Sequence, residues 1–138
     1  MNVAMLVVEG SLESLESLRS VLALDCEGQW KKGDRRRSGR IHEASGFNVT
    51  IADAATPSEL LELIRAFLAF CKEKNVVFSS HSLSAEISIG FTVGDSHQFV
   101  AGVDFTPTEL LSFAECGIKL SITAYPTSDE ANADEIGT

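Results

Sequence analysis

Cysteine is scarce in this chain, and its three cysteines, Cys26, Cys71 and Cys116, are odd in number and widely spaced. A secreted domain held together by disulfides normally has an even and denser set. We therefore expect reduced thiols. Cys71 and Cys116 fall among apolar neighbours on expected helices, so we interpret both as small buried hydrophobic residues.

Long apolar runs are also missing. The stretch over residues 66–71 is typical of the longest, and it is far shorter than the ~20 residues that a membrane span requires. Met1 to Val3 lead directly into alternating apolar residues, without a charged segment or a cleavage site, so we expect no signal peptide. These absences predict a cytoplasmic protein that does not associate with membranes.

Patterns that carry catalysis or bind metal are absent as well. The histidines, His42, His81 and His97, do not stand three or four positions from another His or Cys, which is the usual spacing of metal ligands. The chain has no nucleophile elbow, no Walker loop and no dinucleotide-binding fingerprint. We therefore expect no enzymatic activity, no metal site and no cofactor.

Charge is the most unevenly distributed property of the chain. Six of the eleven Lys and Arg residues lie in positions 31–40, a window of net charge +5, whereas the other residues together carry −14. The sequence pI of about 4.7 disfavours nucleic acid as a partner of the whole protein, because phosphates would be repelled by most of its surface. The single Trp and single Tyr do not form the aromatic platform of an RNA-binding sheet.

Hydrophobic periodicity predicts an α+β fold. Alternating residues predict strands over 2–9, 46–51 and 118–124, and a hairpin whose strands cover 87–93 and 99–105. Helical spacing predicts helices over about 12–24, from the capping box at Thr56 to about residue 73, and from a second capping box at Thr106 to Gly117. The resulting architecture is a mostly antiparallel sheet of about five strands with three helices on one face.

The expected domain is a single unit over residues 1–126, followed by a solvated acidic tail over 127–138. Phe47, Val49 and Ile51 should face the core from the second strand. The centre of the core is expected to contain Leu61, Ile64, Phe67, Leu68, Ile89, Phe91, Val103, Leu120 and Ile122. Residues 25–45 have no periodicity and form a long connection, and such connections are usually functional or partly disordered.

The candidate binding residues lie in this connection: Trp30, Lys31, Lys32, Gly33, Asp34, Arg35, Arg36, Arg37 and Arg40. In one interpretation they bind an anion or an acidic partner, because arginine forks hold phosphate or carboxylate and an aromatic ring can anchor the contact. In the other, Asp34 caps a turn, Trp30 seals the edge of the core, and the basic residues pair with the protein's own carboxylates.

The order of elements and motifs resembles the small bacterial proteins of the domain of unknown function 4279 family. The residues that carry the resemblance, over about 3–126, are Trp30-Lys31-Lys32-Gly33-Asp34, Phe105-Thr106-Pro107-Thr108-Glu109-Leu110-Leu111, and the block from Cys116 to Tyr125. The resemblance implies a small single-domain cytoplasmic protein without catalytic residues. Family members often accompany bacterial toxin-immunity genes, which suggests an inhibitor.

These observations lead to the hypothesis of a non-enzymatic binding protein, in the form of an immunity protein whose acidic body masks a basic toxin domain. Its partner would then be another protein. One alternative is a module that binds a phosphorylated metabolite or RNA through Lys32, Arg35, Arg36, Arg37 and Arg40. A further alternative is a housekeeping protein of unassigned role.

Overall fold

The computed structural model describes residues 1–136, with side chains over 1–133. Its elements, in chain order, are β1 Asn2–Gly10, α1 Leu12–Leu22, β2 Gly28–Trp30, β3 Ser45–Asp53, α2 Pro57–Glu73, a 3₁₀ turn Phe78–His81, β4 Ser84–Val93, α3 Pro107–Cys116, β5 Ile118–Pro126 and α4 Asp129–Ile136. This is the α+β class that the sequence predicts.

The five strands form one open sheet in the order β2-β3-β1-β4-β5. Three of the neighbouring pairs are antiparallel, and β4 pairs with β5 in parallel. A parallel pair needs a long crossover, which here contains an irregular segment and α3. The sheet is therefore mostly antiparallel, as expected, with one parallel pair at its edge.

Local sequence explains where the two best-defined helices begin. The Thr56 hydroxyl accepts a hydrogen bond from the Glu59 amide (3.2 Å), and Thr106 accepts one from the Glu109 amide (3.2 Å). Proline occupies the first turn of both helices, where its missing N–H costs nothing. Gly117 ends α3 with a φ of 71°, a left-handed conformation that favours glycine.

The predicted hairpin is wrong in its second strand. Residues 99–105 form no strand, and Phe99 and Val100 are 74% and 78% exposed. The Asp95 carboxylate accepts a hydrogen bond from the Gln98 amide (2.7 Å), and the Gln98 side chain donates to Asn2 Oδ1 (2.7 Å) and to the Thr92 carbonyl (2.7 Å). These bonds direct the chain across the end of the sheet. The edge of β4 that the predicted strand would have used is therefore paired with β5.

The remaining strand comes from a segment that the sequence leaves unassigned. Residues 28–30 form β2, which pairs with β3 at one edge of the sheet. Three residues are too few to show an alternating pattern in the sequence. The strand β2 can therefore be recognised only from its pairing with β3 in the structure.

A β-bulge changes which residues of β3 face the core. Ala4 of β1 pairs with Ala52, whereas the next residue, Met5, pairs with Thr50, so Ile51 is an extra residue in the ladder. Ala52 is consequently buried and Ile51 only partly buried, which corrects its predicted placement. Phe47 and Val49 are buried as predicted.

The core lies between the sheet and helices α1, α2 and α3. Five of the residues predicted at its centre are buried: Leu61, Ile64, Leu68, Ile89 and Phe91. The other four are not: Phe67, Val103 and Leu120 are only partly buried, and Ile122 is 49% exposed. Leu120 and Ile122 lie on β5, an edge strand, where one side lacks neighbouring side chains.

The segment expected to be a solvated tail contains a short helix, α4. The Asp129 carboxylate accepts hydrogen bonds from the amide (2.8 Å) and the hydroxyl (2.7 Å) of Ser96. Asn132 donates to the Asp95 carboxylate (2.7 Å). Acidic residues near the first turn of the helix also suit its dipole. The hydrogen bonds to Ser96 and Asp95 attach this segment to the domain. Residues 137 and 138 of the expected tail lie outside the described residues.

None of the described helices combines the length and apolar character needed to cross a membrane.

Candidate functional site

The basic segment folds into a hairpin-like arm, which we call the basic arm (residues 31–42). The His42 amide donates to the Asp34 carbonyl (2.8 Å), and the Gly33 amide donates to the His42 carbonyl (2.9 Å). Towards the tip, the Arg36 amide donates to the Arg40 carbonyl (2.7 Å). The predicted long connection is therefore hydrogen-bonded along its length.

Two side chains fasten the base of the basic arm. The Asp34 carboxylate accepts a hydrogen bond from the Lys31 amide (2.7 Å), so Asp34 caps a turn, as the second interpretation of the sequence predicts. The Ser45 hydroxyl accepts a hydrogen bond from the Lys32 amide (3.0 Å). Gly33 and Gly39 have φ values of 94° and 86°, conformations that other residues rarely adopt.

The charged residues of the basic arm are exposed to solvent. All ten residues from 31 to 40 are exposed. The ion pairs found among the described residues lie elsewhere, between Arg65 and Glu109 (3.0 Å) and between Lys72 and Glu115 (3.5 Å). The expectation that the basic residues pair with the protein's own carboxylates is therefore not met within the described part of the chain.

Trp30 connects the basic arm to the domain. Its ring stacks on His42 with centroids 4.9 Å apart and planes 19° from parallel. It also packs against Gly46, where an added Cβ would lie 2.5 Å from one ring atom of Trp30 and 2.6 Å from another. The partly buried ring thus holds the two ends of the basic arm together and seals the edge of the domain beside β3.

A cleft of about 200 Å³ lies between α1 and the base of the basic arm, where Leu12, Leu15 and Phe47 provide apolar lining. Arg19 of α1 donates to the Gln29 side chain (3.1 Å), and its guanidinium lies 6.0 Å from the centroid of the Phe47 ring. Trp30, Lys31 and Asp34 line the same cleft, together with Glu16, Gln29 and Gly46. The cleft therefore combines apolar walls with charged groups of both signs.

Four residues that support this region were not identified from the sequence: Arg19, His42, Ser45 and Gly46. Each acts through contacts across at least ten positions of the chain. Gly46 carried the only available signal, since a glycine within a strand can mark a close approach of another group.

Cys71 lies in the core and is not among the residues that line this cleft. Burial raises the pKa of the Cys71 thiol to about 12, with a smaller contribution from nearby Cys116, so Cys71 is a protonated core residue at neutral pH. Within residues 1–136, no cluster of three or more His, Cys, Asp or Glu side chains is placed to hold a metal ion.

Comparisons with protein-family models, with curated proteins and with solved structures gave no match. The site on this protein is an exposed cationic hairpin, anchored by hydrogen bonds and by Trp30, on an otherwise acidic domain. Such a surface can form charge-assisted hydrogen bonds with carboxylates or phosphates without first breaking internal ion pairs.

Proposed function

We propose that this protein is a non-enzymatic binding protein that neutralises a partner protein by direct contact, in the manner of an immunity protein, and that the basic arm is its principal contact surface. The observation that carries the proposal is the combination of an ordered arm with exposed basic side chains that make no ion pairs among the described residues. The inhibitory role is taken from the sequence resemblance to a family associated with toxin-immunity genes, for which the comparison with family models gave no match.

Order in the basic arm matters because binding costs conformational entropy. A disordered segment must lose that entropy on binding, whereas a hairpin already held by Asp34, Ser45 and Trp30 loses less. The arginines at its tip present planar forks that match carboxylate groups bidentately. An acidic patch on the partner is therefore the surface that the arm fits.

Charge distribution favours a protein partner over a nucleic acid. A nucleic acid is a long and uniform polyanion, so a strand bound to the arm would also pass other parts of the protein, whose residues outside positions 31–40 together carry a net −14. A protein can present an acidic patch to the arm and basic groups to the acidic body at the same time. Complementary potentials of this kind increase the association rate and exclude wrong partners.

Affinity capture from the source cells, followed by mass spectrometry, would identify the partner. We expect a stoichiometric protein that the wild-type chain protects against in a toxicity assay. Replacing Arg35, Arg36 and Arg37 together by Ser should leave folding intact, since each exposed charge contributes at most about 1 kcal/mol. It should slow association with the partner, most strongly at low salt.

Two control variants make this test specific. Replacing Lys74 by Ser removes positive charge elsewhere on the surface, and it should leave association nearly unchanged. Replacing the three arginines by Lys keeps the charge but removes the bidentate fork, so it should affect dissociation more than association. The absence of any stoichiometric protein partner, or equal affinity of the Arg-to-Ser variant, would contradict the proposal.

One observation favours a second candidate, a phosphorylated small ligand. The inner side of the basic arm forms an open concavity lined by Lys32, Gly33, Gly39, Arg40, Ile41, His42 and Glu43. At both glycines, open space lies where a Cβ would stand, so the backbone is accessible to a ligand. Phosphate, nucleotides and RNA should then raise the Tm and alter the fluorescence of Trp30, which stacks on His42. No change in either quantity would exclude this candidate.

A further inference from the structure

The outer edge of the sheet at β5 is long, and no described strand pairs with it. Among the described residues, β4 is the only strand that pairs with β5, so the other side of this nine-residue strand presents free backbone N–H and C=O groups. Its one charged side chain is Lys119. Proteins usually protect exposed edges with several charges, bulges or short strands, and this edge has little of that protection.

Burial decreases along β5 from its beginning to its end. Ile118 is only 6% exposed, Leu120 is partly buried, and Ile122, on the same face, is 49% exposed. The helix that packs on β5 is α3, whose own exposed side includes Leu110 (48%) and Leu111 (56%). The first half of the strand is thus covered on its helix side, whereas the second half is not.

We propose that β5 pairs antiparallel with β5 of a second copy of this chain, around a twofold axis that passes beside Ile122 and joins the two sheets into one. In this register Ile122 faces its own counterpart, Leu120 faces Ala124, and Lys119 faces Tyr125. The two lysines do not meet, and apolar and polar residues keep to opposite faces of the joined sheet. Pro126, which has no N–H, faces Ile118 at the ends of the ladder.

The burial pattern is what selects a second copy as the occupant. Antiparallel pairing around Ile122 places the covered half of one β5 beside the exposed half of the other. The two α3 helices then lie on the same side of the joined sheet. The surface is therefore complementary to itself, as a twofold interface requires. It is separate from the basic arm, since β2 and β5 occupy opposite edges of the sheet.

Sedimentation equilibrium from low to high micromolar concentration tests the proposal. We expect a reversible dimer for the wild-type chain and a monomer for Ile122→Lys, because two lysines would then face each other at the axis. Leu63→Lys, at a 42% exposed position of α2, is the matched control and should remain dimeric. Replacing Arg35, Arg36 and Arg37 by Ser should also leave the dimer intact, which separates this inference from the proposed function.

Cross-linking tests the register even if Ile122→Lys folds poorly. In a background in which Cys26 is replaced by Ser, Ile122→Cys should form an intermolecular disulfide rapidly under mild oxidation, because directly opposed residues of antiparallel strands bring their Cα atoms to about 4.5–5.5 Å, within the range that a disulfide spans. Leu63→Cys in the same background should not. A wild-type chain that is monomeric at every concentration, or equal cross-linking of the two cysteine variants, would overturn the proposal.

Discussion

Gly46→Ala is the substitution that most directly tests how the basic arm is anchored. A Cβ at this position would lie 2.5 and 2.6 Å from two atoms of the Trp30 ring and 2.7 Å from the Val8 carbonyl oxygen. The ring is rigid, and the carbonyl belongs to the central strand β1, so neither can yield without displacement. Overpacking of this kind typically costs about 1–3 kcal/mol. Displacing Trp30 also weakens its stack on His42, and such aromatic pairs contribute about 0.5–1.5 kcal/mol.

We expect urea denaturation to show the loss of stability, together with a fall in Tm of roughly 3–10 °C for a chain of this length. Trp30 is the only tryptophan, so its emission should shift to longer wavelength in the folded variant as the ring becomes more solvated. Gly102→Ala is the control, because no atom lies within 4 Å of its added Cβ and no positive φ is recorded there. It should be neutral or slightly stabilising.

A Gly46→Ala protein with wild-type stability and unchanged tryptophan emission would refute the reasoning, since the ring could not then lie against Gly46. If Gly46→Ala and Gly102→Ala lost the same stability, the loss would be a general effect of replacing glycine by alanine. The contact between Gly46 and Trp30 would then not be its cause.

Phe91→Ala should lower the free energy of unfolding by about 3–5 kcal/mol and Phe67→Ala by about 1–3 kcal/mol. The difference is expected because Phe91 is 3% exposed, whereas Phe67 is only partly buried. If urea denaturation gave the reverse order, the buried face of α2 would be placed wrongly. Hydrogen bonds from the amide and hydroxyl of Ser96 lower the pKa of the Asp129 carboxyl, so the folded state favours its ionised form. Its stabilising contribution should be complete above about pH 5 and disappear as the pH falls through the lowered pKa. Protection of the Ser96 amide from hydrogen exchange should therefore differ between wild type and Asp129→Asn at pH 6 and converge at acidic pH; a difference that grows on acidification would contradict this assignment.

The helices and the longest strands could be predicted from the sequence because their signals are local. Thr56 and Thr106 each cap a helix three residues before a glutamate, and Pro57 and Pro107 occupy the first turn. Alternation from Ala85 to Phe91 directly reflects the burial of one face of β4. The physical interactions responsible span only a few residues, so they are visible in a short window.

The second strand of the hairpin was predicted wrongly because its alternating residues lack a partner. Apolar residues stand at every second position from 99 to 105, but β5 occupies the edge of β4 that this strand would have used. The competing interactions join Gln98 to Asn2, which lies 96 positions away. A pattern of local hydrophobicity contains no information about that contact.

For the basic arm, the sequence by itself determined the concentration of positive charge, and it offered a capping role for Asp34 as one of two interpretations. Tertiary structure alone decided that the segment is an ordered hairpin, that Trp30 rests on Gly46 beneath His42, and that no described carboxylate pairs with the arginines. Charge and turn propensity are properties of residues and their immediate neighbours. Exposure, stacking and pairing depend on which distant groups the folded sheet brings within a few ångströms, and only the complete fold specifies those distances.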